Sequence, residues 1–172
     1  MIYYCKYRSP IGEIIMYSDG INLLGLNFNH DNIKESGAVL VNYKSLNIFH
    51  KVNKWLNNYF LGKKTYAINI PILLEGSKFS KMVWEIVGKI KYGDIITYSS
   101  IAKEVATRLN KKYMSAQAVG NAISKNPILI IIPCHRVIGS NGNLVGYSGG
   151  IERKLKLLQI EGHKIIDDKV SE

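Results

Sequence analysis

Residues 133–136 place a thiol directly beside an imidazole, in the order Pro133, Cys134, His135 and Arg136. A thiolate is the strongest nucleophile among ordinary side chains, but a free cysteine with a pKa of about 8.5 is mostly protonated at neutral pH. A neighbouring base must therefore take the proton, and His135 is adjacent in the chain, although the direction of its ring depends on the backbone. The pair predicts covalent chemistry at Cys134.

The surroundings of this pair favour a reactive site over an inert buried cysteine. Residues 128–132 form a fully apolar run, which predicts a buried strand that ends at the cysteine. The proline fixes the backbone just before the thiol, and a glycine-rich loop follows over residues 139–150. A reactive group on a rigid support beside an adaptable loop is typical of a functional site.

A third side chain is expected to orient the histidine. In nucleophile–base pairs of this kind, the base is held by a further polar group. The sequence offers three carboxylates and does not choose among them: Glu104, Glu152 and Glu161.

The first half of the chain is predicted to be a small α/β domain. Three strand-like runs separated by turn residues predict an antiparallel meander, at residues 2–7, 12–18 and 23–28. A polar stretch follows at residues 29–34. Apolar residues spaced by three and four then predict a helix over residues 45–60. Residues 67–74 look extended, and residues 76–77 mark a plausible domain boundary.

The second half is predicted to be mainly helical. Apolar spacing predicts helices at residues 77–90, 97–106, 115–124 and 151–161, and Ser77 is a possible N-cap of the first. The middle two, joined by the basic segment 108–112, form a candidate helix-turn-helix. The later of these two is made of small residues, which let its backbone approach a groove closely or pack tightly on another helix. The polar tail after Gly162 is expected to be frayed.

The charge balance of the whole chain favours a polyanionic partner. The 172 residues carry a formal net charge of +10, which promotes nucleic-acid binding through counterion release and electrostatic steering. A soluble surface that is merely rich in lysine is the plainer alternative.

Cysteine usage and hydropathy exclude several other classes. The two cysteines, Cys5 and Cys134, are far apart, and neither belongs to a Cys-x-x-Cys pair. Neither a disulfide framework nor a zinc site is therefore expected, and a reducing cytoplasm fits better. No stretch reaches the roughly eighteen apolar residues of a membrane span, and the first residues lack the pattern of a secretory signal peptide.

Several segments together carry a pattern shared with a known family. The most specific ones are Asn126-Pro127, Ile132-Pro133-Cys134-His135-Arg136-Val137 and Gly146-Tyr147-Ser148-Gly149-Gly150. Further matches are Phe79, Val83-Trp84, Tyr92-Gly93, Thr97-Tyr98, Ile101-Ala102, Lys154, Leu157-Leu158 and Glu161-Gly162, with weaker ones at Ser9-Pro10-Ile11-Gly12 and Gly25-Leu26. In this pattern the chain resembles the O6-alkylguanine-DNA alkyltransferases, also called methylated-DNA–protein-cysteine methyltransferases.

The resemblance implies a mixed α/β (α+β) fold in two domains. A small ribonuclease-H-like domain is expected at residues 1–76, and a helical domain with the helix-turn-helix and the cysteine at residues 77–172. The implied activity is DNA repair: a methyl or other alkyl group passes irreversibly from the O6 of guanine in double-stranded DNA to Cys134, once per molecule. Alkylated thymine is left open as a second substrate.

The resemblance also implies how the substrate is reached. The damaged base must be flipped out of the duplex, with the helix-turn-helix in the minor groove. No cofactor, metal or membrane is implied, since the nucleophile itself keeps the alkyl group. The protein is expected to act as a monomer in the cytoplasm.

Residue by residue, the resemblance assigns roles to four side chains at the reacting centre. Cys134 is the nucleophile, and His135 is the base, acting through a water. Glu161 matches the carboxylate that orients the histidine, and Asn126 matches the asparagine that braces the active-site turn.

The remaining matches concern DNA. Tyr98 corresponds to the tyrosine that crowds the target's phosphate and helps to rotate the nucleotide. Tyr147, Ser148 and Gly149 correspond to the loop that lines the pocket and meets the flipped base. The other expected DNA-contacting residues are Ser115, Ala116, Gln117, Ala118, Gly120, Arg136 and Ser140.

The sequence departs from the family in three places. Gln117 stands where many members carry an intercalating arginine, so we expect it to fill the space left by the flipped base less well. The segment 107–113 is longer than usual, and its basic part, 108–112, is expected to offset that loss by gripping phosphates. The zinc site of some members needs two cysteines and two histidines in the first domain. One cysteine, Cys5, lies in the first domain, and only His30 stands near it in the chain, so no zinc is expected.

Two other functions compete with this interpretation. A thiol hydrolase with a Cys–His pair would have to hydrolyse its covalent adduct, whereas a thioether is stable to water. A non-catalytic DNA-binding regulator would suit the charge and the helix pair but would leave residues 133–136 unexplained. A persistent alkyl adduct, detected by mass spectrometry, would argue against both.

Overall fold

The N-terminal part of the chain folds around a four-stranded sheet. The computed structural model describes residues 1–28, 37–66 and 69–171. Three of its strands form the predicted antiparallel meander: β1 (Tyr3–Ser9), β2 (Gly12–Ser18) and β3 (Leu23–Asn27). A short fourth strand, β4 (Val39–Leu40), pairs in parallel with β1 and gives the order β3-β2-β1-β4. The meander is thus confirmed, while the polar stretch 29–34 lies outside the described residues.

One amphipathic helix covers this sheet. Helix α1 (Asn47–Phe60) buries Phe49, Val52 and Leu56, whose spacing of three and four residues places them on one face. The helix contacts β1 and β2, and the Tyr7 hydroxyl of β1 donates to Oδ1 of Asn57 at 2.9 Å. The predicted helix at residues 45–60 is confirmed, beginning two residues later.

The chain divides into two compact units. The first comprises Met1–Glu75 with Pro127–Leu129, and the second comprises Gly76–Asn126 with Ile130–Glu172. Within the first unit, the backbone of Leu26 on β3 bonds to Pro127 and Leu129 on both sides of a bridge with Ile128. The segment that runs toward the cysteine is therefore paired with the end of the meander.

The second unit is built from helices α2 (Lys78–Gly88), α3 (Tyr98–Arg108), α4 (Ala116–Ser124) and α5 (Ile151–Ile160). The first three begin at hydroxyl N-caps, Ser77, Thr97 and Ser115, whose side-chain oxygens accept backbone N–H groups of the first turn. The indole N–H of Trp84 on α2 donates to the carbonyl of Ala122 on α4 at 2.8 Å. This hydrogen bond joins α2 to α4, and α3 packs against both. The predicted helices are confirmed.

The apolar run at residues 128–132 is buried, but the prediction that it is a strand is wrong. Ile128 makes only an isolated bridge, and Ile130 has a φ of 69°, which ends any extended segment. The run then turns sharply, because the carbonyl of Ile132 accepts the backbone N–H of Cys134 at 2.8 Å. A short strand, β6 (Val137–Ile138), follows the turn and pairs in parallel with β5 (Ile96–Thr97).

The tail after Gly162 is ordered rather than frayed. Strands β7 (Lys164–Ile166) and β8 (Lys169–Ser171) form an antiparallel hairpin. Asp167 and Asp168 both have positive φ, 48° and 55°, as the tightest hairpin turns require. None of the helices within the described residues is long and apolar enough to span a membrane.

Candidate active site

Cys134 lies in a single 3₁₀ turn, Cys134–Arg136, and is 3% exposed. Asn126, two residues after α4, holds this turn. Its Nδ2 donates to the carbonyl of Ile132 at 2.8 Å and lies 3.2 Å from the Sγ of Cys134. One buried amide therefore ties down the backbone before the thiol and also supplies a hydrogen-bond donor to the sulfur.

Glu161, the residue after α5, forms a hydrogen bond with His135, which follows the cysteine. The Nε2 of His135 lies 2.7 Å from Oε1 of Glu161, and both side chains are fully buried. The other two candidate carboxylates lie elsewhere: Glu152 is exposed in the first turn of α5, and Glu104 pairs with Arg108 at 2.9 Å. The structure thus brings one of the three carboxylates to the imidazole.

Arg136 was expected to contact DNA, and the structure corrects this. Its guanidinium is buried and donates to both oxygens of Glu161, from Nε at 2.9 Å and from Nη2 at 3.0 Å. Nη1 donates to the carbonyl of Ile90 at 2.6 Å. The backbone N–H of Gly93 completes the set at Oε2, 3.2 Å away. Arg136 therefore serves the carboxylate, because a buried negative charge needs such donors.

The carboxylate is held charged by these neighbours. Burial alone would raise the pKa of Glu161, but the hydrogen bonds and charges of His135 and Arg136 outweigh it and hold the pKa well below its usual range. Burial lowers the pKa of His135, although Glu161 opposes this shift. The resting pair is consequently a neutral imidazole beside an ionised carboxylate.

The thiol is protonated at rest. Burial raises the pKa of Cys134 to about 11, while the hydrogen bond from Asn126 and the charge of Lys154 act in the opposite direction. Burial also lowers the pKa of Lys154 to about 8, against the influence of Cys134. The sulfur therefore becomes a nucleophile only as its proton leaves, and the amide and the ammonium are placed to stabilise the resulting anion.

A cavity of 260 Å³ opens at the sulfur. Its wall contains five predicted site residues: Cys134, Tyr98, Gly120, Tyr147 and Ser148. Three further residues line it that were not predicted as site residues: Ile123, Ser124 and Gly146. Helices α3 and α4 meet here, since a Cβ at Gly120 would lie 3.8 Å from the ring of Tyr98. The structure therefore places the sulfur, the predicted tyrosines and α4 around one space.

The other expected DNA-contacting residues do not line this cavity. Ser115 caps α4, and Gln117 is exposed in its first turn. Ala116 lines a separate depression, and Ala118 is half-buried. Neither Ser140, which is exposed in a second 3₁₀ turn, nor Gly149, which is buried, lies on the cavity wall.

Lys154 is the main feature that sequence reasoning missed as a site residue. It is fully buried on α5, and its Nζ donates to the carbonyls of Val137 at 2.6 Å, Val145 at 2.9 Å and Gly146 at 3.1 Å. The available signal was its position, three and four residues before the core residues Leu157 and Leu158. A lysine on the apolar stripe of a helix must find buried acceptors.

Among the residues that the structure describes, no group of three or more histidine, cysteine or acidic side chains is placed to hold a metal ion. Cys5 is buried on β1, where burial raises the pKa of its thiol. His30 lies outside the described residues.

Two family models match the chain. Residues 2–74 match the 6-O-methylguanine DNA methyltransferase ribonuclease-like domain, and residues 78–163 match the DNA-binding domain of the same family. A Metallosphaera sedula protein named methylated-DNA–protein-cysteine methyltransferase is 44% identical over 165 residues, which cover 96% of each chain.

Solved structures agree with these matches. The Mycobacterium tuberculosis O6-methylguanine methyltransferase superposes with a TM-score of 0.81 at 34% identity, covering 94% of this chain and 93% of that one. Mycobacterium tuberculosis OGT in complex with DNA gives a TM-score of 0.79 at 34% identity, with 92% of each chain covered. The similarity thus extends through both units.

Proposed function

The chain belongs to the 6-O-methylguanine DNA methyltransferase family, and from this premise we propose that it repairs DNA by transferring an alkyl group from the O6 of guanine to its own Cys134. The observation that carries the proposal is that Cys134 lines a cavity and is followed in the chain by His135, which forms a buried pair with Glu161. The transfer is used once, because a thioether is not hydrolysed by water.

The histidine takes the thiol proton at Nδ1. Since Glu161 is ionised, Nε2 of His135 carries the hydrogen and donates it to the carboxylate at 2.7 Å. The lone pair of a neutral imidazole then resides on Nδ1. The proton leaves Cys134 through the bridging water that the family resemblance implies, and Glu161 stabilises the imidazolium that forms.

The bonds of the transfer step balance without a cofactor. As the proton leaves, the Sγ electron pair attacks the alkyl carbon, an S–C bond forms and the C–O6 bond breaks with its electron pair on guanine. The departing guanine takes back one proton, so the net change exchanges a thiol hydrogen for an alkyl group. The amide of Asn126, 3.2 Å from the sulfur, and the Lys154 charge stabilise the sulfur anion along the way.

The cavity requires a base outside the helical stack. A guanine within duplex DNA cannot present its alkyl carbon to a buried sulfur, so it must be flipped, at a cost of a few kcal/mol. The walls of the cavity include α4 and Tyr98 at the start of α3. The small residues of α4 allow close approach to the minor groove, and Tyr98 crowds the phosphate of the rotating nucleotide.

Intact-mass analysis after mixing with a duplex that contains O6-methylguanine tests this proposal. We expect each protein molecule to gain at most one methyl group, located by peptide mapping on Cys134. Cys5 should remain unmodified because it stands between Tyr4 and Lys6 with no histidine beside it in the chain, and its thiol donates to the carbonyl of Lys6. The Cys134→Ser variant should gain nothing, and Cys5→Ser should react like the wild type. Turnover beyond one equivalent, or label on Cys5 alone, would refute the proposal.

The same measurement separates the competing functions. A hydrolase would regenerate its free thiol and show no lasting gain in mass. A DNA-binding regulator would bind the duplex but remain unmodified, with the methyl group still on the DNA.

A further inference from the structure

The connection between α3 and α4 holds its basic side chains outward. Asn110 has a φ of 51°, and the N–H of Lys111 donates to the carbonyl of Ala106 at 2.8 Å, which closes the end of α3. Lys111 and Lys112 follow on the surface, and the Tyr113 side chain is 76% exposed. The exposed tyrosine ring is thus available for stacking on a nucleic-acid base.

The basic side chains of this region differ in whether they already form an ion pair. Arg108 is already paired, with Glu104 at 2.9 Å and with Glu85 at 3.2 Å. Among the residues that the structure describes, no carboxylate lies within ion-pair distance of Lys103, Lys111 or Lys112. Within the basic segment 108–112, we therefore expect Lys111 and Lys112, and not Arg108, to bind phosphates.

The three lysines and the tyrosine surround one depression. Lys103, Lys111, Lys112 and Tyr113 line a space of 420 Å³, and Ala116, the first residue of α4, lines it as well. Hydroxyl-bearing residues of α3 complete the wall: Ser99 and Thr107. Positive charge, an exposed ring and neutral hydroxyls thus meet at the start of the helix that the proposed function places in the minor groove.

We propose that Lys103, Lys111, Lys112 and Tyr113, here called the connection surface, bind the sugar–phosphate backbone of the DNA that flanks the damaged guanine. The inference rests on the proposed function and deepens it. Phosphates match the positive charge of the three lysines, and the face of a tyrosine packs against a sugar or an unstacked base. Because the surface is continuous with α4 through Ala116, a duplex on α4 has its backbone within reach.

Binding affinity as a function of salt concentration tests the connection surface. Affinity is measured with a fluorescent duplex that contains one O6-methylguanine and with protein in which Cys134 has been replaced by serine. The chemical step is measured separately, with free O6-methylguanine and with protein that keeps Cys134. Each phosphate contact contributes about 0.9 to the slope of log affinity against log salt. We expect Lys111→Gln and Lys112→Gln each to lower the slope by up to about 0.9, and the double variant to lower it by the sum.

Matched variants control for charge and folding. Lys156→Gln removes one positive charge from an exposed position on α5 and should leave the slope almost unchanged, as should Arg108→Gln. Tyr113→Ala should weaken binding several-fold at every salt concentration with the slope intact, and Tyr113→Phe should bind like the wild type. Methyl transfer from free O6-methylguanine should keep its rate in all these variants, which lie away from the cavity.

The outcomes separate the two proposals. The proposal of the connection surface would be overturned if the double variant and Lys156→Gln both kept the wild-type slope. It would also be overturned if these two variants lowered the slope equally. A slower reaction with the free base in the double variant would also overturn it, because the lysines would then act on the chemistry. If wild-type protein takes no methyl group from either substrate, the proposed function fails, yet the salt slopes still report whether the connection contacts DNA.

Discussion

The amide nitrogen of Asn126 lies 3.2 Å from the sulfur of Cys134. Replacing this asparagine by aspartate keeps the size of the side chain but sets a carboxyl group against the developing thiolate. We expect Asn126→Asp to slow alkylation of Cys134 by about a hundred-fold, the usual cost of losing one donor to a developing anion. The measurement is the rate of methyl transfer from free O6-methylguanine, followed by intact mass.

Asn121 provides the control for that substitution. It is exposed on α4, outside the cavity wall, so Asn121→Asp should transfer methyl groups from the free base at the wild-type rate. Equal rates for Asn126→Asp and the wild type would show that the amide does not act on the sulfur.

Glu161→Gln should slow alkylation while affinity for undamaged DNA stays nearly constant. The neutral amide no longer stabilises an imidazolium at His135, and it leaves the buried guanidinium of Arg136 without its charge partner. Loss of one partner of a buried pair costs about 3–5 kcal/mol of stability, so the rate is measured on folded protein at low temperature. Glu152→Gln, at an exposed carboxylate of the same region, is the control. A folded Glu161→Gln protein with an unchanged transfer rate would remove Glu161 from the mechanism.

The same carboxylate should make stability depend on acid pH. Its folded pKa lies below the ordinary value of 4.5, so the unfolded chain takes up the proton first as pH falls. The stabilisation is present above pH 4.5 and is lost as the pH falls toward the folded value. Urea unfolding at neutral pH and near pH 3.5 should show that the gap in unfolding free energy between wild type and Glu161→Gln shrinks in acid. A gap that is constant or grows would contradict the ion pair.

Lys154→Met should loosen the wall of the cavity. Methionine fills a similar volume but cannot donate to the carbonyls of Val145 and Gly146, so the glycine-rich loop loses its tie to Val137. Misplacement by about 1 Å can cost about a hundred-fold in rate. A free base is held by the cavity alone, so its reaction should slow more than that of a methylated duplex. Lys156→Met, exposed on the same helix, should leave both rates unchanged, and identical slowing in the two variants would rule out a specific role for Lys154.

Gln117→Arg should speed repair of duplex DNA or tighten its binding, and Gln117→Ala should slow repair only moderately. Gln117 is exposed in the first turn of α4, where a longer cation would stack on neighbouring bases and be attracted to the minor groove. Single-turnover kinetics on methylated duplex, beside free O6-methylguanine, provide the measurement. If both variants match the wild type on duplex, another residue fills the space left by the flipped base.

Local patterns predicted most of the fold. The meander, the N-cap at Ser77 and the helices around the helix-turn-helix depend on neighbours in sequence, and the structure has them where spacing and turn residues indicated. The run at residues 128–132 could not be assigned in this way, because an apolar stretch is compatible with any buried conformation. Its left-handed Ile130 has no sequence signal, since isoleucine rarely adopts that region.

The sequence predicted which residues form the candidate site better than it predicted which of them contact one another. Cys134 and His135 stand out by type, whereas the partner of the histidine depends on where α5 ends, so residue chemistry alone left Glu104, Glu152 and Glu161 open. Arg136 was predicted to contact DNA for a related reason, because the sequence shows the charge of a side chain but not whether it is buried. The hairpin at the tail was also missed, because two aspartates at positive φ are an uncommon turn.

Burial of Cys134 also bears on how long an unused molecule keeps its capacity. Oxidants and stray electrophiles attack thiolates far faster than thiols, and burial holds this sulfur in the thiol form with a pKa of about 11. Under the proposed single use of Cys134, every accidental oxidation removes one repair event from the cell's stock. The buried environment that lowers the reactivity of the resting thiol therefore also protects unreacted molecules from oxidation until they meet a lesion.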